Sequence, residues 1–307
     1  MKKPILRGYY GGIFFEFVLQ DRSADAIILV PGFPSGNDFS ELIAFFFEKG
    51  YHVFVPRYRG SYQSAGIFLS KNPVEDLIYF LDSLDEGSAK NLWDMKKEEF
   101  KINKKILLSV NFGGPIALGA AAKSGNVSHV ILEAPIWDFK VHNSEGDERD
   151  LQNLTEFVRN AYKNCYRFKF KGMTKKLNKF EELNPAYYLP KLSESGIPLL
   201  VMHDPNDKIV SIKHTKQKLA LLPKATYLEH YLGHKLNRDL LASYWKEIDK
   251  FIKINYLNEE EREKARIREK ERKKAEKEEK NLKDALEKAE SGDMIEFKVV
   301  GSDKSDA

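Results

Sequence analysis

Short apolar segments alternate with helix-like segments along most of the chain, and this alternation constrains the fold more than any other feature. AIILV at 26–30 and KILLSV at 105–110 are continuous apolar runs, and amphipathic segments such as 73–84 lie between them. Continuous apolar strands are typical of parallel sheets that are covered on both faces. The pattern therefore predicts an α/β protein with a mostly parallel, doubly covered sheet. The predicted strands are 12–20, 26–30, 51–56, 105–110, 129–135, 198–203 and 226–232, and the predicted helices are 39–50, 73–84, 115–125, 213–222 and 238–254.

The alternation indicates one globular domain over residues 1–257, with an insertion at about 139–190. Residues 258–290 contain equal numbers of acidic and basic residues, with i,i+4 pairs of the favoured orientation and few apolar residues. This segment predicts a charged, solvated helix that serves as a spacer or binds a protein partner. Residues 291–307 predict a short, flexible tail.

Cysteine content, the length of apolar runs and net charge bear on the compartment and on the partners of this protein. The single Cys165 cannot form an internal disulfide, and neither a signal peptide nor an apolar run of membrane-spanning length is evident. We therefore expect a cytoplasmic protein without a membrane segment. The net charge of +4 does not identify a partner. Because no metal-ligand spacing, P-loop or dinucleotide fingerprint occurs, we expect no metal and no cofactor.

Three short stretches, each directly after a predicted strand, contain the residues suited to catalysis. They are SVNFGG at 109–114, HDPNDKIV at 203–210 and LGHK at 232–235. In the first, small residues flank the central residue, as in a sharp turn where a strand and a helix come very close. The carboxyl ends of parallel strands form the usual ligand site of such a sheet. The candidate site residues are Asn111, Asp207 and His234.

These stretches, in this order, resemble the α/β-hydrolases, and among them the peptidases and esterases around prolyl oligopeptidase and dipeptidyl aminopeptidase. The likeness spans about residues 10–255. It includes VPGFPSG at 30–36, RYRGSYQSAG at 57–66 and the approach to the acid at 184–210. The resemblance implies an α/β-hydrolase fold in which the insertion at about 139–190 forms a small lid.

The resemblance also implies a role for each candidate residue. Asp207 and His234 correspond to the acid and the histidine of a Ser-His-Asp triad. The backbone N–H groups of Phe33 and Phe112 correspond to an oxyanion hole. The nucleophile position is the exception, because Asn111 stands where the family has serine.

Asn111 determines the functional interpretation. A serine attacks while a histidine removes its hydroxyl proton, whereas a neutral amide is a poor nucleophile and has no such proton. The structural reason for an asparagine here is that it tolerates the positive φ of the turn. The sequence therefore predicts an impaired or non-catalytic hydrolase homologue with a degenerate triad. It would bind an ester-, acyl- or peptide-like ligand, or a protein partner.

Two alternatives remain open. In the first, an active hydrolase or lyase uses Asp207 and His234 as a general base. In the second, Asn111 deamidates to an aspartate like the nucleophile of the dehalogenase branch, although the bulky Phe112 slows that reaction. Ser109, two residues back on the strand, is not a substitute nucleophile.

Other polar residues have simpler interpretations. Asp204 is a competing candidate for the acid. We expect His230 to be a solvent-facing strand residue and Cys165 to be structural. Residues 157–180 combine basic and aromatic side chains without an acidic residue. This segment favours a half-exposed face, or a site for an anionic ligand above the pocket, rather than a nucleic-acid site, since no nucleic-acid motif accompanies it.

Overall fold

The computed structural model describes residues 3–139, 151–169, 172, 176–177, 179–222 and 224–254. One compact unit comprises residues 1–253, and a second comprises 254–307. The predictions for 258–290 and 291–307 lie outside the described residues, as does part of the predicted insertion at 139–190.

Ten strands occur in the described part of the chain. Each of the seven predicted strands is present with ends shifted by a few residues, and three strands were not predicted. The strands are β1 (Leu6–Tyr10), β2 (Ile13–Val18), β3 (Ala24–Val30), β4 (His52–Pro56), β5 (Ser88–Lys90), β6 (Lys97–Glu99), β7 (Ile102–Val110), β8 (His129–Glu133), β9 (Leu199–His203) and β10 (Thr226–Glu229).

Eight of these strands form one sheet in the order β1-β2-β4-β3-β7-β8-β9-β10. The β1–β2 and β2–β4 pairs are antiparallel, and every pair from β4 through β10 is parallel. The remaining strands, β5 and β6, form a separate antiparallel pair. The prediction of a mostly parallel sheet is therefore confirmed.

The five predicted helices are present, but the helices at Leu151–Ala161 and Leu189–Ser195 were not predicted, and one predicted helix is divided. The predicted helix at 238–254 is two helices, because the backbone at Tyr244 leaves the helical region with φ −114° and ends the first one. The α-helices are α1 (Ser40–Glu48), α2 (Pro73–Ser83), α3 (Gly113–Lys123), α4 (Leu151–Ala161), α5 (Leu189–Ser195), α6 (Ile212–Leu219), α7 (Arg238–Ser243) and α8 (Trp245–Ile254), with 3₁₀ turns at Leu84–Glu86, Glu181–Leu183 and Pro185–Tyr187.

The hydrophobic core lies on both faces of the sheet. In β7, the consecutive residues Ile106, Leu107 and Leu108 are all fully buried. Because successive side chains of a strand point to opposite faces, both faces of this central strand are covered. The start of α2 is fixed locally: Asn72 accepts a hydrogen bond from Val74 N, with proline at the first helical position.

The turn between β7 and α3 is the tightest backbone contact near the predicted site. A Cβ atom on Gly113 would lie 2.4 Å from the carbonyl oxygen of Val30, and one on Gly114 would lie 2.5 Å from Cβ of Pro135. Neither position has room for a side chain. Two adjacent glycines therefore allow α3 to begin directly against β3 and the segment after β8.

We predict that Gly113→Ala destabilises the fold, whereas Gly125→Ala does not. The new methyl group at 113 meets backbone oxygen atoms, which move only if β3 moves, so the free energy of unfolding should fall by about 2 kcal/mol or more. Nothing lies within 4 Å of a Cβ atom at Gly125. Chemical denaturation of the two variants measures the difference, and equal unfolding midpoints would show that the close approach at 113 is dispensable.

Candidate functional site

Asn111 is held at the tip of the turn by backbone hydrogen bonds on both sides. Its φ is 52°, the left-handed conformation that asparagine tolerates better than most residues. Its N–H donates to the carbonyl of Glu133 at 3.0 Å, and its carbonyl accepts from Gly114 at 3.0 Å and from Ile136 at 3.3 Å. These bonds fix the side chain at the carboxyl edge of the sheet.

Asp207 lies in the loop between β9 and α6, and its carboxylate is fully buried. Oδ1 accepts the N–H groups of Ile209 at 2.7 Å and Val210 at 3.0 Å. Oδ2 lies 2.6 Å from Nδ1 of His234 and 3.2 Å from Nε2 of His203. Backbone donors orient the carboxylate, so that Oδ2 is directed at the histidines.

His234 joins the other two side chains. Its Nδ1 lies 2.6 Å from Asp207 Oδ2, and its Nε2 lies 2.9 Å from Asn111 Nδ2. Because Nδ1 faces a carboxylate, it has the ring proton and Nε2 is left as the acceptor. The amide of Asn111 therefore donates to His234, and His234 donates to Asp207. The structure brings together the three residues proposed from the sequence.

The electrostatics of Asp207 favour its charged form. Burial by itself would raise the pKa of Asp207, but the hydrogen bonds from His203 and His234 and the bond from the Val210 N–H outweigh it, and the pKa is held well below its usual range. An ionised Asp207 keeps the ring proton of His234 on Nδ1. This is the tautomer in which Nε2 faces Asn111.

Asp204, the competing acid, has a different structural role. Its Oδ2 accepts the N–H of Gly233 at 2.7 Å, and its Oδ1 accepts the N–H of Asn206 at 2.8 Å. Asp204 thus holds the backbone of the loop that contains His234, while Asp207 contacts the imidazole itself. Of the two carboxylates, Asp207 is the one hydrogen-bonded to His234.

Asn111 and His234 line an open cavity of about 590 Å³. Its lining includes the apolar side chains of Phe33, Phe112 and Ile136, and Leu154 and Leu177 from the inserted segment. Four charged residues also line it: Asp38, Glu41, Lys235 and Arg238. The volume is that of a small-molecule site, and most of its walls are apolar.

The two candidate oxyanion-hole residues lie beside Asn111. Phe33 and Phe112 are buried, and their ring centroids are 5.4 Å apart. Among the described residues, the N–H groups of Phe33 and Phe112 donate no hydrogen bond. Both N–H groups are therefore free to bind a ligand oxygen.

The inserted segment contacts the loop that contains Phe33. The hydroxyl of Tyr166 accepts the N–H of Ser35 at 3.1 Å, and its ring lies edge-on to Phe33 at 4.9 Å. Arg167 donates to the carbonyl of Tyr62 at 2.8 Å and also to the carbonyl of Ser64. The RYRGSYQSAG loop thus anchors the insertion against the cavity. Of the basic aromatic segment 157–180, residues 170–171, 173–175 and 178 lie outside the described residues, so its anionic ligand remains a prediction.

The structure corrects one prediction and extends the set of site residues. His230, expected to face solvent, is fully buried and lies 3.0 Å from both carboxylate oxygens of Glu133. The sequence reasoning missed this partner, although an acid at the end of an apolar, doubly buried strand signals that one must exist. It also missed His203, which contacts Asp207 and Thr215. Ser109 is buried on β7 and is not part of the cavity lining.

The described residues contain neither a metal-binding cluster nor a membrane-spanning helix. Within them, no group of three or more His, Cys, Asp or Glu side chains is arranged to hold a metal ion. None of the helices in the same part of the chain combines the length and the apolar character needed to cross a membrane.

Solved structures with a similar fold include proteins described as α/β-hydrolases. The chain resembles DcsB, solved with its substrate analogue, at a TM-score of 0.60 and 15% identity, over 82% of this chain and 99% of that one. It resembles the Pyrococcus furiosus esterase Pf2001 at a TM-score of 0.57 and 14% identity, over 81% of this chain and 91% of that one. It resembles the Pyrococcus horikoshii acylaminoacyl peptidase at a TM-score of 0.58 and 13% identity, over 83% of this chain and 42% of that one. No protein-family model and no curated protein matches the sequence. These likenesses show the α/β-hydrolase fold.

We predict that Asp207→Asn lowers the free energy of unfolding by about 2–3 kcal/mol near pH 7, because charge-assisted hydrogen bonds are lost in a buried site. A lowered folded-state pKa stabilises the protein fully above the unfolded value of about 3.9, and this contribution is lost as the pH falls towards the folded value. The difference between the two proteins should therefore shrink below about pH 4.

Urea denaturation at pH 7, 5 and 3.5 measures this difference. Glu156→Gln, at an exposed carboxylate on α4, is the control and should show a small difference throughout. A difference for Asp207→Asn that stays constant down to pH 3.5 would mean that the carboxylate is not held ionised in the folded state.

Proposed function

We propose that this protein is an impaired or non-catalytic hydrolase homologue, which binds an ester-, acyl- or peptide-like ligand in the cavity beside Asn111. The α/β-hydrolase fold and the cavity support a small-molecule site. The hydrogen bond between Asn111 Nδ2 and His234 Nε2 is the observation that carries the proposal.

That hydrogen bond preserves the geometry of a triad without its reactivity. An amide N–H donates to His234 as a serine hydroxyl would, but transfer of its proton does not produce a usable nucleophile. In the serine protease subtilisin, removing the serine costs about 10⁶ in turnover. We therefore infer that the cavity retains ligand binding, through its apolar walls and the N–H groups of Phe33 and Phe112, while covalent catalysis is absent.

A second function is favoured by the orientation of His234. Its Nε2 faces an open cavity and its Nδ1 is bound to a buried carboxylate, which is the arrangement of a general base. A water molecule or a substrate proton that displaces the Asn111 amide would meet this nitrogen. In this alternative, the protein is a hydrolase or lyase that uses Asp207 and His234 with water or an acidic substrate.

We predict that Asn111→Ser creates esterase or peptidase activity. Short-chain aryl esters and aminoacyl arylamides are the substrates, and kcat/KM should rise by at least about 10³-fold over the unmodified protein. A fluorophosphonate should label the variant, with a bond forming between phosphorus and Ser Oγ as fluoride leaves, and should not label the unmodified protein.

Two controls separate the possible outcomes. Asn111→Ser combined with His234→Ala should be inactive, which shows that the new activity uses the histidine. Turnover by the unmodified protein that is lost in His234→Ala, without labelling, would contradict the leading proposal and support the general-base alternative. Peptide mapping of the same samples establishes whether residue 111 is asparagine or its deamidated product.

Ligand binding is predicted to depend on the cavity volume. We expect Leu154→Trp, at a half-buried lining residue of α4, to weaken binding of an aryl methyl ketone about tenfold or more, since the indole takes up space in the cavity. Glu156→Trp, on an exposed position of the same helix, should leave binding unchanged. Calorimetric titration measures both, and equal affinities would place the ligand elsewhere.

A further inference from the structure

A second carboxylate–histidine pair lies at the same edge of the sheet but outside the cavity lining. Glu133 is the last residue of β8, and His230 directly follows β10. Both side chains are fully buried, and His230 Nε2 is 3.0 Å from each carboxylate oxygen. Since neither residue lines the cavity, the pair does not contact a ligand bound there.

The orientation of the His230 ring is fixed by its neighbours. The N–H of Leu232 donates to Nδ1 at 3.3 Å, so Nε2 holds the ring proton and donates it to Glu133. The N–H of His230 donates to the carbonyl of His203, also at 3.3 Å. His230 therefore attaches the start of the loop that contains His234 to both β8 and β9.

Glu133 links this loop to the turn at Asn111. Its carbonyl accepts the N–H of Asn111 at 3.0 Å, while its side chain accepts from His230. The next residue, Ala134, has a φ of 42° and donates its N–H to the carbonyl of Met202. One residue thus contacts Asn111 through its backbone and the histidine loop through its side chain.

The environment of Glu133 makes this link costly to break. Burial raises the pKa of Glu133, whereas the hydrogen bond from His230 and the nearby His203 and His234 lower it, and burial prevails. A fully buried carboxyl group that loses its donor has no solvent to replace it. The closed pair is therefore strongly preferred over an open one.

We propose that Glu133 and His230 are positioning residues, which hold the ring of His234 at hydrogen-bonding distance from Asn111. The proposal rests on the function proposed above only in treating Asn111, His234 and Asp207 as the side chains that meet a ligand. Without the pair, the loop from His230 to His234 keeps the bond from Gly233 to Asp204 but loses its attachment to β8. The imidazole is then held by Asp207 alone, and its distance from Asn111 is no longer fixed from the β8 side.

The test observes His234 directly and needs neither ligand nor turnover. Long-range proton–nitrogen spectra of the full chain give the tautomer of each histidine from its carbon-bound ring protons. In the unmodified protein, His234 should be in the Nδ1–H form. The same tautomer should persist in Glu133→Ala and His230→Ala, because Asp207 is retained, but in the same spectra the chemical shift of His234 Nε2 should move towards that of a free imidazole nitrogen, as its hydrogen bond from Asn111 is broken part of the time.

Two conservative variants separate positioning from general loss of stability. Glu133→Gln keeps an oxygen that accepts from His230 and should restore the His234 Nε2 chemical shift seen in the unmodified protein. Glu133→Asp keeps the charge but shortens the reach, so it should behave like Glu133→Ala. If the alanine variants do not fold, Glu133→Gln and Glu133→Asp decide between positioning and general loss of stability.

His52→Ala is the matched control, because His52 is also fully buried and uses both ring nitrogens, at the opposite end of the sheet. It should leave His234 unchanged. If the chemical shift of His234 Nε2 in Glu133→Asp and His230→Ala equals that of the unmodified protein, the positioning proposal is wrong. If the Nε2 chemical shift changes in these variants but Asn111→Ser gains no activity, positioning stands and the function proposed for the cavity fails.

Discussion

The close approach of β3, β7 and α3 at Gly113 is the constraint on which the site depends. With Val30 O where a side chain would begin, the backbone enters α3 directly from β7 and holds Asn111 at positive φ. Parallel strands end at the same edge, so the loops after β9 and β10 bring Asp207 and His234 to this tip. The sheet supplies the framework, and the tight turn determines where its functional edge lies.

In the Asn111–His234–Asp207 hydrogen-bonded arrangement, the geometry does not by itself supply a nucleophile. An asparagine N–H and a serine O–H are both donors, so either one satisfies His234 Nε2 and leaves the Asp207 contact in place. Only the hydroxyl becomes a nucleophile once its proton is removed. Persistence of the Asp207–His234 pair is therefore compatible with a protein that binds without covalent catalysis.

The site is supported by layers with different chemistry. Towards the cavity, apolar side chains and the anchored insertion enclose Asn111 and His234. Behind them, buried polar groups are satisfied by one another: His203 contacts Asp207 and Thr215, and His230 contacts Glu133. Because a buried polar group without a partner is costly, each of these contacts restricts the loops more than an apolar contact of the same size.

The sequence by itself determined the sheet, its helices and the three stretches that meet at its edge, because apolar runs, small residues at a turn and chain order are local patterns. Local patterns did not predict β1, the β5–β6 pair, the helices α4 and α5 or the break at Tyr244, where packing against distant segments overrides propensity. They also predicted, wrongly, that His230 faces solvent. Only the tertiary structure decided its burial, since its partner Glu133 lies 97 residues away in sequence. Whether a polar side chain is solvated or paired depends on what folds over it, and the sequence near that residue does not encode this.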